Sequence, residues 1–309
     1  MRFKLIATEA MNYPITILCR CIRVSKSGYY YWKTTPQSPR SRQNDKIILQ
    51  IIQAFKHSRK TYGSPRIYQQ LKAQGIKVSL NKVARLMNKI GIHSHFSIRH
   101  KKAKIPRNTA NFASNILDRE FTAPTPNSKW VSDTTFIYTK QGWLYLATII
   151  DLYSRKVVGW SMGSANDTAL VSEALQMAIK NKPKQQKVLL HSDQGSTYRA
   201  YEYLKLFKAN SITQSMSGKG ECHDNAVAES FFNTLKTELI SQQTYQTREQ
   251  AKSSIFEYIE VFYNKIRRHS TIGYCSPSEF YQKRAIPYKS LRFKSGLEIS
   301  PKLGFYSKP

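Results

Sequence analysis

The chain has 309 residues, with 49 Lys and Arg against 19 Asp and Glu, for a formal net charge of +30. That length suits about two domains of roughly 150 residues, and 40% hydrophobic with 12% aromatic residues suits a folded chain, not a disordered one. The longest nearly apolar run, 143–150, is far short of the ~20 residues a membrane span needs. Charge and proline interrupt the N-terminal stretch before an apolar signal-type core can form. The four cysteines, Cys19, Cys21, Cys222 and Cys275, are too scattered for a disulfide framework. A membrane protein is excluded on this reading, a secreted disulfide scaffold is disfavoured, and a cytosolic compartment is expected.

The charge is unevenly placed. Residues 1–110 hold 23 Lys and Arg and 2 acids, whereas 111–240 hold 14 and 12. A surface as basic as the first segment attracts polyanions, and nucleic-acid phosphates are the usual ones. The nearly neutral centre poses the opposite question. Carboxylates repel phosphates unless a metal ion neutralises them, so the acids there need individual inspection.

Taken in chain order, residues 1–33 read as a short helical segment. PITILCRCIRV has helical spacing, and Ser25 offers an N-cap before Tyr29, Tyr30, Tyr31 and Trp32. Those four aromatics suit the packing of a small helical unit better than base stacking. Residues 34–44, with two prolines and no periodicity, read as a linker. Residues 45–96 read as a basic helix-turn-helix unit. Its first helix, 45–58, lines up Ile47, Ile48, Ile51 and Phe55. The second starts at Ser64-Pro65, cap then proline, and stops at Gly75. The third is capped by Ser79, stops at Gly91, and sets Lys82, Arg85 and Lys89 opposite Leu80, Val83, Met87 and Ile90. Such a helix is a candidate major-groove reader. Residues 97–125 read as a basic linker, with Lys101 and Lys102 as candidate phosphate contacts.

From residue 128 the period changes. SKWVSDTTFIYT alternates as a strand, Lys140-Gln141-Gly142 turns the chain, WLYLATIID is a buried strand, and KVVGWSM follows another turn. A helix over roughly 168–180, a strand KVLLH, a helix near 200–209, a short strand SITQS and a strong helix AVAESFFNTLKTELI complete the order β-β-β-α-β-α-β-α. That is an α/β layer fold mixing an antiparallel edge with parallel crossovers. The core is placed at 126–285 with a C-terminal helix, and 286–309 reads as a basic tail.

Three acids stand out. Asp133 lies inside the first strand, Asp193 just past the fourth, and Glu229 in the first turns of the late helix. Carboxylates at the mouth of an apolar sheet are costly unless offset. Converging carboxylates form an oxygen cage for Mg²⁺, and two such ions can drive in-line displacement at phosphorus. Singly, each acid also fits a plain structural role: Asp193 can end a strand, and Glu229 suits a helix N-terminus.

The constellation narrows the reading. Asp193 and Glu229 have 35 residues between them, and Lys236 follows Glu229 by seven positions, two turns along one helix face. With Trp130-Val131-Ser132-Asp133-Thr134-Thr135, Asp151-Leu152-Tyr153-Ser154-Arg155, His191-Ser192-Asp193-Gln194-Gly195, Asp224-Asn225-Ala226, Tyr263-Asn264, Arg267, His269 and Gly273-Tyr274-Cys275-Ser276-Pro277, the chain resembles the second-frame (orfB) transposases of insertion-sequence family three. Their catalytic core is retroviral-integrase-like. Thr61-Tyr62-Gly63-Ser64-Pro65-Arg66-Ile67 resembles that family's basic helical domain.

The resemblance implies a ribonuclease-H-like core behind a mainly α-helical N-terminal region, with which the strand order agrees. It implies Asp133, Asp193 and Glu229 as catalytic metal ligands for Mg²⁺ or Mn²⁺, in a two-ion site. It implies Lys236 at a phosphate or base of the element's terminus. The implied reaction cleaves one strand at an element end, and the freed 3′-hydroxyl then attacks double-stranded target DNA. Implied partners are further copies of the chain on DNA and the upstream-frame (orfA) product. Arg267 and Arg268, at the end of a late helix, are candidate phosphate contacts. His191 can position water or DNA, or simply pack at a strand end. Cys19 and Cys21 are one residue apart and do not fit a zinc site with the downstream histidines. The alternative from another class is a non-catalytic DNA-binding regulator of transposition, for which three clustered acids serve no purpose.

Overall fold

In the computed structural model, residues 2–34, 39–94, 113–218 and 222–285 are described, and they form two compact units divided at residue 93. Lys101 and Lys102, the basic stretch around them, and the 286–309 tail lie outside the described residues.

The N-terminal unit is all helix. Helices α1 (Arg2–Glu9), α2 (Ile15–Cys21) and α3 (Lys26–Thr34) enclose a small core of Ile6, Cys19 and Tyr29, with Phe3 stacked on Trp32. Helix α1 lies within the 1–33 segment read as helical, but its own bounds leave no periodic trace, because it has a single buried residue and charge at both ends. Ser25 accepts a hydrogen bond from the Gly28 amide at 3.0 Å, as an N-cap should.

Helix α4 (Pro39–His57) starts well before residue 45, which corrects the linker expected at 34–44. Proline is tolerated in a first helical turn, and the added turns bury no apolar residue. Periodicity therefore could not reveal them. Helix α4 packs Ile47, Ile51 and Phe55 against α5 (Ser64–Ala73) and α6 (Leu80–Lys89). Ser64 is already helical and Gly63 occupies the N-cap, one residue earlier than expected. Gly75, at φ +76°, lets the chain leave α5 through a conformation that costs a side chain energy. Ser79 caps α6 by accepting from the Lys82 amide at 3.3 Å. Helix α6 buries Val83, Leu86 and Met87, while Leu80, expected in that stripe, is exposed.

The second unit is built on five strands: β1 (Lys129–Thr139), β2 (Gly142–Asp151), β3 (Val157–Gly163), β4 (Val188–Ser192) and β5 (Ile212–Met216). Their sheet order is β3-β2-β1-β4-β5, with β1, β2 and β3 antiparallel and β4 and β5 parallel to β1. The meander and crossovers expected from the sequence are therefore present. Helices α7 (Thr168–Lys180) and α8 (Tyr201–Ala209) cover one face, around Trp130, Ile149, Leu175, Leu190 and Phe207. Helix α9 (Ala226–Glu238), helix α10 (Arg248–Glu257) and a π-helical turn (Tyr258–Tyr263) cover the other, around Val131, Leu146, Phe231, Leu235 and Ile255. Helix α11 (Pro277–Ala285) ends the described chain.

The layers are close because the sequence allows it. A Cβ on Gly159 of β3 would run into the Ala174 carbonyl oxygen of α7. Val157, at the start of edge strand β3, would lack a partner for its backbone. Asn264 supplies one, accepting from the Val157 amide and donating to its carbonyl, both at 3.0 Å.

Residues 113–125, expected as linker, are part of this unit where they pack. Leu117 is buried in the core, and the Ile116 and Leu117 amides donate to Ser215 Oγ at 2.9 and 3.1 Å. Their lack of periodicity hid a segment held by side-chain hydrogen bonds.

Candidate active site

The site is assembled by the sheet's one change of direction. Strand β1 pairs with β4 at a constant register, Lys129 opposite Leu189, Trp130 opposite Leu190 and Val131 opposite His191. Continued two residues past its last pair, that register would align Asp133 with Asp193, just beyond strands spaced about 4.8 Å apart. Paired residues of parallel strands point to the same face. Val131 shares its face with α9, and Asp133, two residues on in the same strand, has that face too.

Strand β4 ends at Ser192 while β1 runs on to Thr139, and the acids sit where the pairing stops. Asp193 Oδ1 accepts from the Gly195 amide at 2.9 Å, and Asp133 Oδ1 from the Thr134 amide at 2.7 Å. The Tyr198 phenol, fully buried, lies beside both carboxylates and accepts from Ser132 Oγ at 3.3 Å. Burial foremost, with the charge of Asp133 and then of Tyr203 and Asp193, pushes its pKa well above the usual phenol value. Tyr198 is therefore a neutral floor beneath two acids.

Helix α9 brings Glu229. Asn225, at its N-cap, donates through Nδ2 to the Ser132 carbonyl at 3.0 Å, one residue before Asp133. Glu229 follows one turn into the helix, at the margin of the stripe formed by Ala228, Phe231, Phe232 and Leu235. All three acids are half-buried and open to solvent. They offer only hard oxygen donors, the set that suits Mg²⁺ or Mn²⁺ over softer ions. Among the described residues, no three His, Cys, Asp or Glu side chains already stand as a metal-holding group. Like charges brought together repel unless a cation offsets them.

Lys236, two turns along α9 from Glu229, holds its Nζ 5.2 Å above the Phe136 ring. On α6 of the N-terminal unit, Arg85 and Lys89 are exposed and Lys82 is half-buried. Arg268 Nη1 donates to the Tyr274 carbonyl at 2.8 Å.

Arg267 corrects the sequence reading. It is buried, and its guanidinium grips Glu238 at the end of α9, through Nε at 2.8 Å and Nη2 at 2.8 Å. Tyr258 Oη donates to the same carboxylate at 2.8 Å. Against the penalty of burial, Glu238 holds Arg267 firmly protonated. It is a strut under α9, with no surface to offer a phosphate.

His191 is a packing residue. It is fully buried, its ring nitrogens 2.9 Å from Ser215 Oγ and 3.2 Å from Ser217 Oγ, and burial lowers its pKa to about 4. It is neutral at neutral pH. Cys19 is buried and Cys21 exposed, both as free thiols.

Two buried acids carry roles the sequence reading did not assign. Asp224 accepts from the Gly218 amide at 2.8 Å, Asn115 Nδ2 at 2.9 Å and Arg119 Nε at 2.7 Å, and so ties the loop before α9 to the segment at 113–121. Burial alone would raise its pKa, but those donors outweigh it and lower it. Asp151 accepts from the Asn127 and Ser154 amides and from Ser154 Oγ, which folds the β2–β3 turn. Their place among the family motifs was the available signal, but only the contacts reveal a structural purpose.

Comparison with known proteins adds to this geometry. Integrase core domain models match residues 123–222 and 229–284, and an HTH-like domain model matches 42–102. The chain is 36% identical over 285 residues to the transposase InsF for insertion sequence IS3A of Escherichia coli K12, covering 92% of this chain and 99% of that protein. It is 37% identical over 266 residues to a 31 kDa protein of insertion element IS600 from Shigella sonnei, covering 86% and 98%. Among solved structures, the catalytic core domain of HTLV-2 integrase in complex with magnesium aligns with 51% of this chain and 98% of its own, at 16% identity and a TM-score of 0.39. With sheet order, site and near full-length similarity in agreement, the chain belongs to the InsF-type transposases of the IS3 family, an HTH-like domain followed by an integrase core.

Proposed function

We propose that this chain is the DNA-cleaving and strand-transferring subunit of its insertion sequence. The observation that carries the proposal is the β1–β4 register, which ends at Val131 and His191, two residues before Asp133 and Asp193, beside a helix start pinned by Asn225. On this reading Asp133, Asp193 and Glu229 together hold Mg²⁺ or Mn²⁺ as a two-ion site. When bound, those ions supply the Lewis acidity that activates a water or 3′-hydroxyl and stabilises the leaving oxygen at phosphorus.

The chain's own residues do the rest. Tyr198 and Ser132 close the floor and exclude water from one side of the acids. The Thr134 and Gly195 amides orient the two aspartates. Lys236 offers a cation two helical turns from Glu229, where it can hold a phosphate of the DNA end. The basic N-terminal unit, with Lys82, Arg85 and Lys89 on α6, is assigned to the duplex. The working assembly is a homo-oligomer on double-stranded DNA in the bacterial cytoplasm, together with the upstream-frame product. Relatives encoded by bacterial insertion sequences support that setting.

The test is Mg²⁺- or Mn²⁺-dependent nicking of a plasmid carrying both ends of the element, with and without the upstream-frame product. The parent is expected to nick at the ends. Glu229→Gln is expected to abolish nicking and leave DNA affinity within a few-fold. Equal nicking by parent and variant, or binding to the ends with no nicking in either setting, would replace this reading with that of a DNA-binding regulator.

A further inference from the structure

Near the acids lies an aromatic patch that the catalytic reading leaves unused. Phe136 and Tyr138 of β1 and Trp143 of β2 are 56%, 62% and 45% exposed. Their rings touch edge-on: Trp143 lies 5.1 Å from Phe136 at 86° and 5.4 Å from Tyr138 at 73°. Three large aromatics left in solvent as one contiguous group mark a surface that meets a partner.

The surroundings specify the partner's chemistry. The Lys236 ammonium sits 5.2 Å over the Phe136 ring. Arg248 donates through Nε to the Trp143 carbonyl at 2.9 Å, and Lys140 is exposed at the adjacent hairpin turn. Aromatic faces among cations suit a ligand that is both flat and anionic, which describes a nucleotide.

Position narrows the ligand further. Phe136 lies three residues beyond Asp133, about 10 Å along the strand and by alternation on its other face, yet Lys236 of α9 reaches its ring at the edge of β1. Lys236 lies seven residues beyond Glu229, also about 10 Å along a helix. Along the strand, Phe136 and the acid mouth are about three base steps of ~3.4 Å apart, a path that crosses the edge of β1 beyond the end of β4. A paired base hides its faces in the stack and cannot use such a surface, whereas an unpaired base can.

We propose that Phe136, Tyr138 and Trp143 form a stacking platform for unpaired bases at the end of the DNA strand being processed, with Lys236 and Arg248 on the attached phosphates. The proposal rests on the reading that the acids act on DNA ends, and it adds that the end is opened before or during cleavage. The plain structural role is also present, because Tyr138 and Trp143 are direct cross-strand partners and such pairs stabilise a hairpin. The test must therefore read something that hairpin stability does not move.

The experiment uses the full chain and two oligonucleotide versions of an element end. One is fully paired, and the other has its three terminal pairs replaced by unpaired nucleotides, one of them 5-iodouracil. Stacking of even one base at ~1 kcal/mol corresponds to about a 5-fold preference for the unpaired end. The parent is expected to show at least that preference and to cross-link through the iodouracil. The double variant Phe136→Leu with Trp143→Leu keeps the apolar area and removes the π faces. It is expected to bind the two ends equally, lose the cross-link, and retain the parent's melting temperature and affinity for the paired end. Should it melt early, the single variants decide on the same readouts.

No preference in the parent, or a preference undiminished in the variants, would overturn the platform. Loss of self-association in sedimentation, with the preference intact, would assign the surface to a second copy of the chain instead. Nicking by the parent and its loss in Glu229→Gln are followed alongside. Intact nicking without end preference removes the platform alone, whereas nicking absent both with and without the upstream-frame product removes the catalytic reading beneath it.

Discussion

Arg267 shows how far a residue's chemistry depends on what surrounds it. In sequence it is one of a basic pair near the end of a helix, a common place for a phosphate contact. In the fold its guanidinium is nearly sealed from solvent and closed against Glu238, which also accepts from Tyr258. Removing one member of a buried pair strands the other, at a cost of about 3–5 kcal/mol. Arg267→Ala is therefore expected to lower the thermal stability of the integrase-core unit markedly. The salt dependence of DNA binding should stay the same, because the buried guanidinium meets no phosphate. A variant with unchanged melting temperature and a shallower salt slope would return Arg267 to the DNA-contact set. Glu229 is the contrasting case. It is half-buried at the open mouth, so its carboxylate is expected to matter for cleavage and little for folding.

At the scale of elements, the site depends on two strands of unequal length. Strand β1 continues past the end of β4, and the acids occupy the step. Helix α9 is joined to that step through Asn225 and stiffened at its far end by Glu238. The opposite side of the sheet sets another constraint. Gly159 of β3 lies under the backbone of α7, with the Ala174 carbonyl and Ala178 in the space a side chain would need. Overpacking a tight contact typically costs about 1–3 kcal/mol, and here the obstacle is backbone, which yields poorly. Gly159→Val is expected to destabilise by at least that amount in chemical denaturation. Full stability in that variant would show that α7 can move away from the sheet at little cost.

At the scale of the whole molecule, charge is divided unevenly along the chain. The first 110 residues carry 23 basic and 2 acidic residues, whereas Asp133, Asp193 and Glu229 lie in the nearly neutral segment that follows. Binding to duplex DNA should consequently weaken steeply with salt. Each phosphate that a side chain neutralises adds about 0.9 to the steepness of log K against log salt. Replacing Lys82, Arg85 and Lys89 together with alanine is expected to reduce the slope by roughly 2–3 in full-length protein. An unchanged slope would move the duplex contact away from α6.

Much of this protein was legible in its residues. Alternation and helical spacing reveal the strands and major helices, because one-sided burial imposes a period of two or about 3.6 on any sequence. The strand and helix pattern placed Asp133, Asp193 and Glu229 on the right elements, and the resemblance singled them out, with Lys236, as motif positions. Short or polar elements such as α1 and the first turns of α4 left no such trace, and neither did residues 113–125, which are held by Ser215 and the Asp224–Arg119 pair. Sequence by itself determined the order of elements, the charge partition and the chemical types available at the site. Only the tertiary structure decided which charges are spent on the fold. Arg267, Asp224, Asp151 and His191 carry the same side chains as catalytic or DNA-binding groups. Burial and hydrogen bonding commit them to structure instead, and both are set by contacts between residues far apart in the chain.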